Sequence, residues 1–304
     1  MQTSTVEMVE VAPRDGLQNE KTLISTADKI ALVERAIAAG ARRIEVTSFV
    51  HPKAVPQMAD AEAVCAGLPL RADVTYIGLV MNARGAARAL ATGRIDQLGA
   101  VAVASDAFAK ANQGQTSDGS VAAACDIIGL ARQAGKTGQV TIAAAFGCPF
   151  EGEVAQDRVV AMARALAAAD PLEIGLADTI GVADPAHVAM LVGKVRAAVP
   201  HIPVRVHFHN TRGTGLANVW AALGAGAVTV DAAIGGLGGC PFAPGAAGNV
   251  STEDVVYMLE RAGVATGLDL PALVAANHWL GQVMGRTLPG MVAKAPPFPA
   301  AAQN

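Results

Sequence analysis

The chain has few aromatic residues. Two Trp, two Tyr and seven Phe make up 4% of 304 residues, too few for a surface that reads nucleic acid by stacking on bases. Charge is also scarce. The net value is −3 and the isoelectric point about 6.1, which gives no electrostatic footprint for nucleic acid or anionic lipid. Long hydrophobic runs are missing too. The apolar residues are mostly Ala and Val, and no stretch of about 18 escapes a charge or a Gly/Pro cluster, so no membrane span is expected. Four cysteines, Cys65, Cys125, Cys148 and Cys240, lie far apart without a C-x-x-C pair, which argues against a disulfide framework. Residues 1–5 lack the basic region and apolar core of a secretory leader, and the expectation is a cytoplasmic protein. What remains, 52% hydrophobic against 16% charged, is the balance of a folded globular chain rather than a disordered one.

Short β-branched runs alternate with longer Ala-rich amphipathic stretches. Strands are predicted at Val6–Ala12, Arg42–Thr47, Asp73–Leu79, Leu98–Ala104, Gln139–Phe146, Leu172–Asp178, Val204–His209 and Val228–Ala232, each bounded by Gly, Pro or a polar cluster. Helices are predicted near 27–39, 59–66, 83–92, 118–134, 153–169, 184–199, 213–224 and 251–262. Asp184-Pro185 reads as a cap with proline at the first helical position, and Ser251-x-x-Asp254 as a capping box. Eight strand–helix units in one chain predict a (β/α)8 TIM barrel over about 6–262. A doubly wound sheet is the rival, but no G-x-G-x-x-G follows the first strand. Residues 263–304 leave the alternation, with a helix near 271–284 and a Pro/Ala tail. They predict an appended C-terminal helical segment, or a subunit contact, on one barrel domain spanning 1–304.

In such a barrel the chemistry gathers at the C-terminal ends of the strands. Those ends carry Arg14-Asp15, Glu45 with Thr47-Ser48, Asp178-Thr179, His207-Phe208-His209 and, past strand eight, Asn249. Alternate strand residues share a face. Val204, Val206 and Phe208 therefore belong under the helices, while Arg205, His207 and His209 face the barrel interior. The two histidines could be satisfied by hydrogen bonds in a polar mouth. With Asp15 and Asn249 on adjoining rims they also compose a site of two imidazoles, a carboxylate and an amide oxygen, suited to Mg²⁺ or Mn²⁺. Arg14 reads as a fixed cation for a substrate carbonyl or enolate, or as a salt-bridge partner of Glu45 or Glu10; its side chain and that of Asp15 are expected to diverge. Gly235–Asn249 holds six glycines in fifteen residues, a loop suited to a lid or a phosphate cradle. Cys240 in its middle suits acid/base or redox work better than packing. His51, on the active rim, could touch substrate; His187, His201 and His278 have no ligand partner at useful spacing.

These blocks resemble the 3-hydroxy-3-methylglutaryl-CoA lyase family. Val9–Glu20 resembles its opening motif, and Glu45–Lys53 with Pro56–Asp60 its second-strand block. Phe146–Gly152 and Asp178–Val182 resemble later blocks, and Gly235–Asn249 its cysteine loop. The resemblance implies a divalent-metal TIM barrel that splits a 3-hydroxyacyl-CoA by a retro-aldol route into acetyl-CoA and a keto acid, in leucine degradation. It implies Asp15, His207, His209 and Asn249 as metal ligands. Arg14 would stabilise the enolate, Glu45 would support Arg14, Cys240 would act as loop acid/base, and His207 would carry a proton at the substrate hydroxyl. Gln18, Ser48, Asp178 and Thr179 become the expected substrate contacts, and the acyl-CoA thioester the expected partner, with a homo-oligomer also expected.

The sequence departs from the family at Asn210-Thr211-Arg212, where Asp-Thr-Tyr is usual, and at Ala143-Ala144-Ala145, where a Ser-Cys pair is usual. Lys110-Ala111-Asn112 keeps its block in part. These changes remove polar groups from the substrate side and add a cation, which points toward a related 3-hydroxy-3-alkyl acyl-CoA. Claisen-type synthases such as isopropylmalate and homocitrate synthases share Arg-Asp-Gly and H-x-H. The cysteine loop has the lyase form, however, and residues 263–304 are too few for a synthase's extra domain.

Overall fold

The computed structural model describes residues 5–239 and 248–298. Eight parallel strands close a barrel in chain order: β1 (Glu7–Glu10), β2 (Arg43–Ser48), β3 (Thr75–Leu79), β4 (Gln97–Val103), β5 (Thr137–Ala143), β6 (Ile174–Asp178), β7 (Val204–Phe208) and β8 (Thr229–Ala232), the last pairing with β1. The helices are α1 (Thr26–Ala38), α2 (Ala61–Gly67), α3 (Ala83–Ala91), α4 (Asp106–Gln113), α5 (Ser117–Gln133), α6 (Gln156–Ala167), α7 (Pro185–Ala198), α8 (Gly215–Gly224), α9 (Thr252–Arg261) and α10 (Leu270–Met284). The (β/α)8 architecture is the one expected from the alternation. Both N-caps form: Asp184 accepts from the N–H groups of Ala186 and His187, and Ser251 from that of Asp254, but the Asp254 carboxylate accepts from Met291 and Val292 N–H instead of closing the capping box.

Outward-facing residues such as Val204, Val206 and Phe208 are fully buried under the helical ring. Each contributes about 1.5–3 kcal/mol by leaving water. The interior is different. Its lower layers are charged rather than filled with branched apolar side chains. The Arg43 guanidinium donates to Glu7, Gln97, Gln139 and Glu173 at 2.7–3.3 Å. Above it, Arg205 pairs with Glu173 at 3.1 Å and with Asp231 at 2.8 Å. Only paired charges are tolerated at such burial.

Four local departures shape the mouth. First, β1 is shorter than expected: after Glu10 the chain makes a five-residue π turn, Ala12–Gly16, closed by the Gly16 N–H to the Val11 carbonyl at 3.1 Å. Such turns recur at functional sites because they re-aim side chains. Second, the β2–β3 register slips between Glu45 and Thr47. The slip turns the Thr47 hydroxyl toward Met58 and leaves Ser48, the next residue, to meet Gln18 at 3.3 Å. Third, β5 ends at Ala143 instead of running to Phe146, because Ala144 takes a left-handed φ of 55° and gives its N–H to the Thr179 hydroxyl. Fourth, α4 was absent from the expected helices; it is short, capped by Ser105 and stopped by Gly114 at φ 70°.

The C-terminal segment is tied to the foot of the glycine loop. The buried Glu253 carboxylate accepts from Gly235 N–H at 3.1 Å and from the Asn277 amide of α10 at 2.5 Å, and Gly290 N–H donates to the Gly235 carbonyl. Glu10 completes this anchorage, accepting from Ala12 N–H at 2.8 Å, Ile234 N–H at 3.0 Å and the Thr252 hydroxyl at 2.7 Å. It joins the π turn to the end of β8.

Candidate active site

The π turn carries Arg14 and Asp15 to the mouth, and β7 carries the two histidines. One ligand atom each from Asp15, His207 and His209 lies within 4.8 Å of the other two, the only such trio among the described residues. Asp15 Oδ2 is the common centre. It stands 3.9 Å from His207 Nε2, 3.7 Å from His209 Nε2 and 2.8 Å from the Asn249 amide nitrogen. Asn249 arrives through backbone pairing, in an isolated antiparallel bridge with His209.

These residues fit a divalent cation on three counts. The donors are imidazole nitrogen with carboxylate and amide oxygen and no thiolate among the described residues, a mixed set open to a divalent cation. The Asn249 side-chain oxygen is buried and has no hydrogen-bond partner among the described residues, an unmet acceptor that would otherwise cost about 1–3 kcal/mol. Finally, Gly238 holds a left-handed φ of 116° where a Cβ would lie 2.6 Å from the Asn249 amide and 3.5 Å from Asp15 Oδ2, so the cluster is approached by bare backbone.

Arg14 and Asp15 do not diverge as expected. The arginine folds back and holds both carboxylates, Asp15 at 2.5 Å and Glu45 at 2.5 and 2.7 Å, because burial leaves an unpaired guanidinium no alternative. Burial works to raise the Asp15 pKa, but the Arg14 charge and the neighbouring imidazoles outweigh it and hold the carboxyl well below its usual range. For Glu45 burial prevails over Arg14 and the pKa is raised. His207 is raised as well: burial opposes its charge, yet the contact with Asp231 and the Asp15 charge exceed that cost.

The mouth cavity, about 140 Å³, is lined on one side by Arg14, Asp15, Glu45, His207, His209 and Asp231, and on the other by Leu79, Val101, Phe108, Ala143 and Ala177. Gln18 and Thr179 also line it, as expected of substrate contacts. Ser48 stands behind Gln18. Asp178 is fully buried, with its two carboxylate oxygens accepting from Val182 and Ala183 N–H at 2.9 Å; it shapes the β6–α7 loop and does not line the mouth. Arg212 is not the added cation of the mouth either. Its guanidinium donates to the carbonyls of Ile180 and Gly181 at 3.1 and 2.8 Å. Cys240 lies outside the described residues.

Asp231 and Asn112 were not among the expected site residues. Asp231 was findable, since it is a lone carboxylate in the apolar β8 with alternation turning it inward. Asn112 reaches the mouth on α4, and also lines an adjoining cavity of about 600 Å³ with Gln18, His51, Met81, Arg84 and Arg88.

A closed parallel barrel with a carboxylate, two imidazoles and an amide at its C-terminal rim defines a metal-binding barrel enzyme. The HMGL-like family model matches residues 5–279, and the chain belongs to that family. It is 44% identical over 302 residues to the (R)-citramalyl-CoA lyase of Chloroflexus aurantiacus, covering 96% of this chain and 95% of that protein. It is 40% identical over 284 residues to the hydroxymethylglutaryl-CoA lyase YngG of Bacillus subtilis, covering 93% and 95%. Among solved structures, an HMG-CoA lyase from Acinetobacter baumannii in complex with coenzyme A and 3-methylmalate superposes with a TM-score of 0.92 at 40% identity, covering 100% of this chain and 98% of that one. The chain is a lyase of this family. Among the described residues no helix is long and apolar enough to cross a membrane.

Proposed function

We propose that this enzyme cleaves a 3-hydroxy-3-methylglutaryl-CoA-like thioester into acetyl-CoA and a keto acid, as in leucine degradation, with Mg²⁺ or Mn²⁺ held by Asp15, His207, His209 and Asn249. The observation that carries the reading is the ligand trio set beside a guanidinium locked by Glu45. The cation, when bound, lowers the pKa of a hydroxyl that it touches and neutralises developing charge.

The chain's own groups do the rest. His207 takes the proton from the tertiary hydroxyl. The C2–C3 bond breaks, its electron pair passes to the thioester as an enolate, and C3 becomes a ketone. Arg14, unable to swing away from Glu45, offers its planar N–H groups to the enolate oxygen, a fixed donor in a closed site. Cys240 delivers the proton that turns the enolate carbon into the acetyl methyl group. Gln18 and Thr179 orient the acyl part, with Ser48 and Asp178 supporting them. The adjoining cavity, with Arg84 and Arg88 on its wall, suits the phosphate-bearing nucleotide arm of the thioester. We place the reaction in the cytoplasm and the enzyme in a homo-oligomer.

A citramalyl-CoA-type substrate is the second reading. It is favoured by the 44% identity to the Chloroflexus enzyme and by the apolar Ala143 and Ala177 in the mouth lining, the latter beside His207. Incubating the protein and Mg²⁺ with both thioesters and identifying products by mass separates them. Acetoacetate supports the first, pyruvate the second, and no cleavage of either overturns both.

A further inference from the structure

The residues that follow α9 add no strand to the barrel, yet they return to its rim. Helix α10 stops at Gly285, left-handed at φ 66°, and the Arg286 N–H closes on the Gly281 carbonyl at 3.0 Å. That reversal sends residues 288–290 against the foot of the glycine loop. The buried Leu288 side chain occupies the space of a Gly235 Cβ, which would lie 2.5 Å from its Cδ1, and Pro289 Cβ stands 3.5 Å from where a Gly236 Cβ would be. Gly290 N–H holds the Gly235 carbonyl at 3.0 Å, and a Cβ on residue 290 would collide with Glu253 Oε1. Glu253 is fully buried and shares its two oxygens between Gly235 N–H at 3.1 Å and the Asn277 amide at 2.5 Å. Above this platform the two limbs of the loop clasp each other. Asn249 donates its N–H and its side-chain amide to the Leu237 carbonyl, at 3.1 and 2.9 Å, and a Cβ on Gly248 would lie 2.5 Å from the Leu237 carbonyl carbon. Four of the five residues 235–239 are glycine. They have no side chains to lock into the core, so their placement comes from what presses on their backbone.

We propose that the C-terminal segment positions the active site: Asn277 and residues 288–290, acting through Glu253 and Gly235, hold the limbs 235–238 and 248–250 at the spacing that sets the Asn249 side chain against Asp15. None of these C-terminal groups lines the mouth cavity, so they are positioning residues. Close-packed backbone passes a displacement on instead of absorbing it, and a site keeps its geometry only as well as the groups behind it keep theirs. The same segment also reaches the opening block, where Arg286 pairs with Glu20 at 2.5 Å. It therefore touches both stretches of chain that supply Asp15 and Asn249. The functional consequence rests on the metal site of the proposed lyase, but the order of the two limbs is a property of the free protein and is read without metal or turnover.

The test is Asn277→Leu, which keeps the shape of the side chain and removes its donor. It is followed by hydrogen exchange with mass spectrometry on metal-free protein, by Mn²⁺ titration and by steady-state kinetics. Peptides covering 233–239 and 248–252 should exchange at least about 10-fold faster, with those of β3 to β6 at parent rates. Mn²⁺ affinity should weaken by about 10-fold and kcat should fall by a similar factor, with KM within a few-fold. Parent exchange rates in the two limbs, or parent Mn²⁺ affinity despite a lower melting temperature, would mark a merely structural contact and overturn the proposal. If Asn277→Leu does not fold, Leu288→Ala decides. It removes the wedge beside Gly235, leaves every hydrogen bond of the platform in place, and is judged on the same readouts. A parent protein that binds no Mn²⁺ and cleaves neither thioester would count against the lyase reading. Exchange then decides alone: faster rates confined to the limbs support the positioning role, and unchanged rates overturn it.

Discussion

His209 and Asn249 face each other across an antiparallel bridge. It is flanked by Asn210 N–H to the Gly248 carbonyl at 2.9 Å and Val250 N–H to the Phe208 carbonyl at 3.0 Å. The end of β7 and the returning limb of the glycine loop are therefore one backbone unit. Two members of the proposed ligand set owe their spacing to main-chain pairing rather than to side-chain contact.

Asn249→Ala should preserve that pairing and remove the buried oxygen together with the amide that donates to Asp15 and to the Leu237 carbonyl. Mn²⁺ affinity, followed by titration of chelator-stripped protein, should fall by at least about 10-fold, and His209→Ala should fall further. Full turnover after exhaustive chelation would remove the metal from the mechanism.

Arg14→Lys keeps a positive charge but cannot hold Glu45 and Asp15 and still present a planar fork. The expected loss is in kcat, equivalent to about 3 kcal/mol of transition-state stabilisation. Steady-state kinetics decide: a change confined to KM would reassign Arg14 to substrate binding.

Cys240→Ser keeps size and polarity but replaces a thiol of pKa about 8.5 by a far weaker acid. Thioester binding, measured with a non-cleavable analogue, should be unchanged, while turnover falls by about 100-fold, the scale of a lost acid/base group. Wild-type turnover in the serine variant would leave that position without a chemical role.

Glu10 supplies a pH signature. Burial raises its pKa from 4.5 to about 7, against the opposing hydrogen bonds from Ile234, Ala12 and Thr252. The folded protein then retains a proton that the unfolded chain releases between pH 4.5 and 7. Folding stability should fall as pH rises through that window, by about 3 kcal/mol in all. Glu10→Gln keeps an acceptor for the two N–H groups and removes the titration. Its melting temperature should gain on the parent between pH 5 and pH 8; parallel curves would show that Glu10 is ionised throughout.

The barrel and the inward face of β7 were legible because both rest on periodicity. Alternate residues of a strand share a side, and the apolar set Val204, Val206 and Phe208 could only face the helices. What stayed hidden depends on breaks in periodicity. The register slip after Glu45 sends Thr47 away from the mouth, and the left-handed turn at Ala144 is invisible in a run of three alanines. Arg14 and Asp15 looked divergent because they leave adjacent backbone positions of one turn; the π form of that turn brings them together, and nothing in Ala-Pro-Arg-Asp-Gly announces it. Arg212 read as a cation for the mouth from its departure from the family pattern, whereas the carbonyls of Ile180 and Gly181 claim it.

The charged layers of the barrel also have an electroneutrality consequence. Among the described residues the interior stack sets three arginines, Arg14, Arg43 and Arg205, against four carboxylates, Asp15, Glu45, Glu173 and Asp231, while Glu7, a further partner of Arg43, is exposed. The interior thus comes within one charge of neutrality on its own fixed ion pairs. Each guanidinium answers two carboxylates, so removing one charge leaves its partners unbalanced in a medium that screens poorly. Charge balance at the mouth is thus tied to residues at the opposite end of the barrel. Neutralising Glu173 to glutamine should unbalance Arg43 and Arg205 together and lower the melting temperature.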